Sequence, residues 1–110
     1  MNWIELTSEE QLNQLIQQSS STPQLIFKHS TRCSISIMAK SRLDREASVS
    51  GVDFYYLDLL QHRSVSNKIA DVFNVIHQSP QVLLIKKGEC VYEETHNAIN
   101  IEEIREQVGV

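Results

Sequence analysis

Two cysteines are the side chains of this sequence best suited to covalent chemistry, and they keep different company. Cys33 follows the polar run His29-Ser30-Thr31-Arg32 and precedes Ser34-Ile35-Ser36. Only a thiolate attacks a disulfide or accepts a thiol cap, and an ordinary cysteine is about 3% ionised at pH 7. A helix N-terminus favours the anion by roughly 0.3–1 kcal/mol, about 2 when partly buried. A hydrogen bond to charged sulfur adds about 1.5–3 kcal/mol. Arg32 supplies a neighbouring positive charge, and Ser36, three residues on, faces Cys33 across the first turn of the helix expected there. Cys33, Ser36 and Arg32 therefore form the candidate catalytic set. The alternative, Cys33 as a small buried hydrophobe, fits poorly with its polar neighbours. Cys90 opens a strand beside Val91 and reads as structural.

These residues need a scaffold, and the apolar patterning supplies one. Trp3-Ile4-Glu5-Leu6 reads as a short strand. Thr7-Ser8-Glu9-Glu10 spells a capping box through the Thr7 hydroxyl and the Glu10 carboxylate, before a helix with Leu12, Leu15 and Ile16 on one face. Gln24-Leu25-Ile26-Phe27-Lys28 reads as an interior strand, with Lys28 as its solvated end. Ile35, Ala39, Leu43 and Ala47 recur every four residues and predict an amphipathic helix beginning at or just after Cys33. Val52–Leu57 is a second buried strand, and Ser64 caps a helix with Val65, Ile69, Val72 and Phe73 inward. Val75–Pro80 is a loop, and Val82–Ile85 a third buried strand. Lys87-Gly88-Glu89 is a hairpin turn with its return strand over 90–93. Ile101, Ile104 and Val108 mark a last helix, capped by Asn100. The order β-α-β-α-β-α-β-β-α predicts an α/β fold: a sheet of parallel strands flanked by helices, with one antiparallel hairpin at an edge.

Composition narrows the function classes. A chain of 110 residues fits one domain over residues 1–110. With a net charge of −4 and its ten Lys and Arg scattered, neither nucleic acid nor an anionic membrane is an expected partner. No apolar run reaches the roughly 18 residues that span a bilayer. Met1–Glu5 lacks the basic and apolar regions of a signal peptide, so a reducing cytoplasm is the expected location. His29, His62, His77 and His96 each read as surface residues. His77, three residues before Pro80, is the one best placed to meet a substrate. His29 and Cys33 are four apart, but two ligands make no metal site, and no bound metal is expected.

The element order, the Cys where the second strand passes into the second helix, and the Pro that opens the strand before the hairpin together resemble the thioredoxin superfamily. The segment Phe27-Lys28-His29-Ser30-Thr31-Arg32-Cys33-Ser34-Ile35-Ser36 is more closely similar to the monothiol bacilliredoxins of the bacillithiol system. Ser79-Pro80-Gln81 leading into a strand and the Lys86-Lys87-Gly88 turn extend that resemblance over nearly the whole chain. The family's usual Pro after the cysteine is Ser34 here. Pro at the first helical turn presets φ and removes a donor, whereas Ser34 leaves an N–H and a hydroxyl. A better solvated thiolate and a looser helix start are both open.

The resemblance implies a thioredoxin-like mixed sheet and a cis Ser79–Pro80 bond packed beside Cys33, with Ser79 leaving its backbone open to pair with substrate. An ordinary trans Pro at a strand start is the other reading. It also implies monothiol chemistry. Ser36 stands where a dithiol thioredoxin has its second cysteine, so the mixed disulfide waits for an outside thiol. Phe27 stands where thioredoxin has a buried acid. The implied activity is removal of bacillithiol from protein mixed disulfides through Cys33. Thr31, Ser34, Ser79, Pro80 and His77 would contact substrate. Bacillithiol serves as co-substrate with no bound cofactor, and the partners are bacillithiolated cytosolic proteins met by a monomer. Lys28 has a minor steering role for the anionic groups of bacillithiol. Two other classes are carried beside it: an iron–sulfur carrier like the Cys-x-x-Ser glutaredoxins, and a binding module whose Cys33 senses oxidation without turnover.

Overall fold

The patterned segments resolve into ten elements in a computed structural model of residues Met1–Val110. They are β1 (Trp3–Glu5), α1 (Glu9–Gln18), β2 (Gln24–His29), α2 (Ser34–Asp44), β3 (Asp53–Asp58), α3 (Arg63–Phe73), β4 (Gln81–Lys86), β5 (Glu89–Thr95), a 3-10 turn (His96–Ala98) and α4 (Ile101–Gly109). The five strands form one sheet in the order β1-β3-β2-β4-β5. β1, β3 and β2 are parallel, while β4 runs antiparallel to β2 and β5 antiparallel to β4. β4 is thus the strand that makes the sheet mixed, as the thioredoxin-like resemblance implies. The loop after α3 returns the chain to the C-terminal end of β2, so β4 must run back down the sheet.

Side-chain alternation along the strands builds two cores. Leu25, Phe27, Phe54, Val82 and Leu84 meet Ala39 and Leu43 of α2 and Ile101 and Ile104 of α4. Ile26, Tyr55, Leu57, Leu83 and Ile85 meet Leu12 and Leu15 of α1 and Val65 and Ile69 of α3. Every residue of β2 is buried because it is central and covered on both faces. The hairpin turns through Lys87 (φ 52°) and Gly88 (φ 79°), the pair of positive φ values that matches the twist of a two-residue turn. Ser19, at the end of α1, pins that turn: its carbonyl accepts from Lys87 N–H and its hydroxyl from Gly88 N–H, both at 2.8 Å.

The helix boundaries correct three expectations. α1 is capped by Ser8, whose Oγ accepts from Gln11 N–H at 3.1 Å, not by Thr7. Gln11 rather than Glu10 reaches back. Its Oε1 accepts from Thr7 N–H at 2.9 Å and its Nε2 donates to Glu5 O at 2.7 Å, a pairing that a carboxylate cannot make because it has no donor. α3 starts at Arg63 after His62, so Ser64 falls inside its first turn. Asp58 Oδ1 shapes the approach by accepting from Leu60 N–H at 3.1 Å. α2 ends at Asp44, before Ala47, and buries Ser36, Ala39 and Leu43 while Ile35 stays 39% exposed. A four-residue step drifts roughly 40° per turn of a 3.6-residue helix, so the stripe from Ile35 to Ala47 cannot stay on the sheet. Ser36, Ala39 and Leu43 can. Asn100 caps α4 as expected, its Oδ1 accepting from Glu103 N–H at 2.9 Å.

Candidate redox site

The C-terminal ends of β2 and β3, the start of α2 and the entry to β4 gather at one end of the sheet. His29 pairs with Asp58, and Lys28 with Gln81 directly after Pro80. Cys33 is the N-cap residue of α2, extended at φ −104° and ψ 118° and half-buried. Its N–H donates to Ser30 O at 3.2 Å, and its carbonyl accepts from Ile37 N–H at 2.9 Å. The thiol caps no amide of the first turn, whose N–H groups lack intrahelical partners. Thr31, Arg32 and Ser34 around it are exposed. Arg32 takes part in no ion pair. None of the surface concavities is lined by Cys33, so the thiol is met on open surface. α2 presents Ile35, Ile37 and Met38 to solvent directly after it.

Ser36 turns its hydroxyl inward. It is fully buried, its Oγ lying 2.7 Å from His29 Nδ1 and accepting from Ser30 N–H at 3.0 Å. The hydroxyl can donate one bond and accept two, so it holds both Nδ1 of His29 and the Ser30 N–H at once. His29 is itself buried, at 4% exposure, stacked on Phe27 at 5.7 Å and beside Tyr56 at 5.5 Å. Burial pushes its pKa down and Lys40 adds to this, with Asp58 and Asp44 opposing. Burial therefore favours the neutral imidazole, and His29 is not the surface residue expected of it. Ser36 clamps the β2–α2 connection, and its hydrogen bonds go to His29 and Ser30.

The other wall is the segment before β4. The Ser79–Pro80 peptide is cis. Pro80 is buried, and Ser79 is half-buried with its Oγ unpartnered. Gln81 braces this segment, its Oε1 accepting from Gln78 N–H at 3.3 Å and its Nε2 donating to Ile76 O at 3.2 Å. His77 is exposed, but its Nδ1 lies 3.2 Å from Lys28 Nζ. Lys28 is no solvated strand end. It is 0% exposed, donates to Ser66 O of α3 at 3.1 Å, and is driven by burial down to a pKa of about 8. Sequence reasoning missed the role of Gln81 and placed Lys28 and His29 in solvent, where the structure buries both. Only a strand buried on both faces, read through to its last two residues, signals the burial of Lys28 and His29.

Cys90 is half-buried at the far end of the sheet, paired with Ile85, which in turn pairs with Gln24. Four residues of β4 separate that position from Gln81, about 13 Å of strand, whereas a disulfide needs Cα atoms within about 7 Å. Its Sγ lies 3.4 Å from Tyr92 O, and burial pushes the thiol pKa up. No three His, Cys, Asp or Glu side chains converge where a metal ion could be held. No helix is long and apolar enough to cross a membrane.

Comparison with known proteins agrees with this geometry. A proposed oxidoreductase with a thioredoxin fold superposes with a TM-score of 0.84 at 32% identity, covering 98% of this chain and 94% of its own. Thioredoxin from Fasciola hepatica (TM-score 0.73, 19% identity, 96% and 95% covered) shares the fold. So does thioredoxin from Trypanosoma brucei brucei (0.77, 14%, 98% and 88%). Residues 4–104 match the family described as monothiol bacilliredoxin BrxC. With that match spanning nearly all of a thioredoxin-like sheet that sets one cysteine at a helix start, the chain belongs to the monothiol bacilliredoxin family of thiol oxidoreductases.

Proposed function

We propose that this protein removes bacillithiol from mixed disulfides of cytoplasmic proteins, with Cys33 as the working thiol. The observation that carries the reading is Cys33 at the N-cap of α2 with no second cysteine in reach, in a chain of the bacilliredoxin family. The Cys33 thiolate attacks the bacillithiol sulfur of the mixed disulfide. A Cys33–bacillithiol disulfide forms, and the target cysteine leaves as a thiolate that takes a proton from water. A second bacillithiol thiolate then attacks the bacillithiol sulfur on Cys33, releasing bacillithiol disulfide and regenerating the Cys33 thiolate. No residue of this chain resolves the intermediate, since position 36 holds a serine rather than a thiol and Cys90 lies at the far end of the sheet.

The open surface around Cys33, flanked by Ile35, Ile37 and Met38, suits a protein-sized disulfide better than a small molecule needing an enclosing pocket. Ser79, with its backbone next to cis Pro80, is the complementary contact, and Thr31, Ser34 and Arg32 line the approach. Bacillithiol is consumed as co-substrate, no bound cofactor takes part, and the protein acts as a monomer. Intact mass after exposure to bacillithiol disulfide tests the reading. One bacillithiol adds to wild type and Cys90→Ser and none to Cys33→Ser. No adduct, or an adduct that follows Cys90, refutes it.

A further inference from the structure

Lys28 is a cation with no exposed surface and no carboxylate partner, since it takes part in none of the ion pairs. Burying such a charge is unfavourable, and groups of this kind cluster where function needs them. Its ammonium is spent on two acceptors, Ser66 O of α3 at 3.1 Å and His77 Nδ1 at 3.2 Å. The second is informative, because His77 belongs to the loop Val75–Pro80 and is otherwise exposed. Gln81 ties the backbone at Ile76 and Gln78, on either side of His77, while Lys28 takes the imidazole between them from below. The loop that ends in Ser79 and Pro80 is thus held from two directions, and Lys28 is the one that anchors it to β2.

From this geometry we infer that Lys28 is a positioning residue which, through His77, holds the Ser79–Pro80 segment in the shape that receives the disulfide substrate. The inference rests on the bacillithiol-removal reading for the identity of the substrate, while the anchor itself does not. The bond requires an unprotonated His77 Nδ1. The charged groups facing that imidazole are Lys28 of β2 and Arg63 of α3, and together with burial they lower the His77 pKa. Nδ1 therefore remains an acceptor at neutral pH and is lost only in acid.

The full-length protein is assayed with a bacillithiolated model protein and bacillithiol, beside amide hydrogen exchange over residues 75–79. Lys28→Met keeps the linear shape of the side chain and removes the charge. His77→Ala removes the other partner from the solvent side, where folding is not at stake. Each raises KM roughly tenfold, the effect of one charge-assisted hydrogen bond, and leaves kcat within about twofold. The double variant loses no more than either single one. Exchange over 75–79 quickens roughly tenfold in Lys28→Met. Wild-type KM should rise in acid as His77 Nδ1 is protonated, and His77→Asn, whose amide oxygen can sit near the Nδ1 position, should lose less and lack that acid rise. Wild-type exchange in Lys28→Met, faster exchange with unchanged KM, or additive losses in the double variant each overturn the proposal. Inactive wild-type protein refutes the bacillithiol reading and the substrate role with it, and exchange over 75–79 then decides the anchor alone.

Discussion

Replacing Ser36 by alanine separates two roles that its place in the Cys-x-x-Ser pattern leaves tangled. A Ser36 hydroxyl serving the Cys33 sulfur would change reactivity and little else. The structure instead commits that hydroxyl to His29 Nδ1 at 2.7 Å and to Ser30 N–H at 3.0 Å, with all three residues buried. Ser36→Ala leaves two buried polar groups unpaired, the Ser30 N–H and the His29 Nδ1, each at about 1–3 kcal/mol, and no water reaches a side chain of zero exposure to replace them. The expected loss is about 3 kcal/mol, a large part of the 5–15 kcal/mol typical of a domain. For a chain of this size that lowers Tm by roughly 12–18 °C. Urea denaturation at pH 7, followed by tryptophan fluorescence and far-UV circular dichroism, measures the first figure, and a thermal scan measures the second. Trp3 stacks on Phe27, which stacks on His29, so the fluorescent probe sits next to the perturbed cluster. A loss below about 0.5 kcal/mol, with the rate of iodoacetamide labelling of Cys33 cut severalfold, would refute the clamp and restore Ser36 as a direct partner of the thiol.

Three further outcomes follow from the same structure. The lowered pKa of His29 means that the unfolded chain binds more protons just below pH 6.5. Stability is therefore complete above that pH and is lost as pH falls toward the folded-state value. His29→Asn, which keeps an acceptor for Ser36, should flatten this acid limb in urea titrations between pH 5 and about 7, and an unchanged slope would count against a buried neutral His29. Lys28→Met should raise Tm at pH 7. The fall in pKa from 10.5 to about 8 corresponds to roughly 3 kcal/mol of desolvation cost as an upper bound, and a lower Tm would mean that the ammonium bonds outweigh it. Iodoacetamide at neutral pH should label Cys33 and leave Cys90, whose thiol is half-buried with its pKa pushed up. Equal labelling in a peptide map would contradict the structural reading of Cys90.

Where elements begin and what they are was legible wherever the determinant lies within a few residues. The apolar run Leu25–Phe27, the turn residues Lys87-Gly88, the Asn100 cap and the passage from strand to helix at Cys33 are local in this sense, because a cap or a turn is satisfied by its own neighbours. A resemblance carried by the Phe27–Ser36 and Ser79–Gln81 segments extended that reading to the family and to the cis peptide. By itself the sequence therefore determined the order of elements, the helix-start cysteine and the family of this protein. Tertiary structure decided what the polar side chains touch. Lys28 meets Ser66 and His77 across separations of 38 and 49 residues, and Gln81 reaches Glu93 of the neighbouring strand at 3.0 Å. Ser36 and Ile35 traded places on α2 because a hydroxyl with two buried partners can sit against the sheet. The direction of β4 likewise came from the loop that returns the chain to the Pro80 end. A polar side chain at a strand end or helix face can satisfy its hydrogen bonds in water or within the protein at nearly equal free energy, so local pattern does not choose between them. Only the packing of the neighbouring elements, which removes the water, makes that choice.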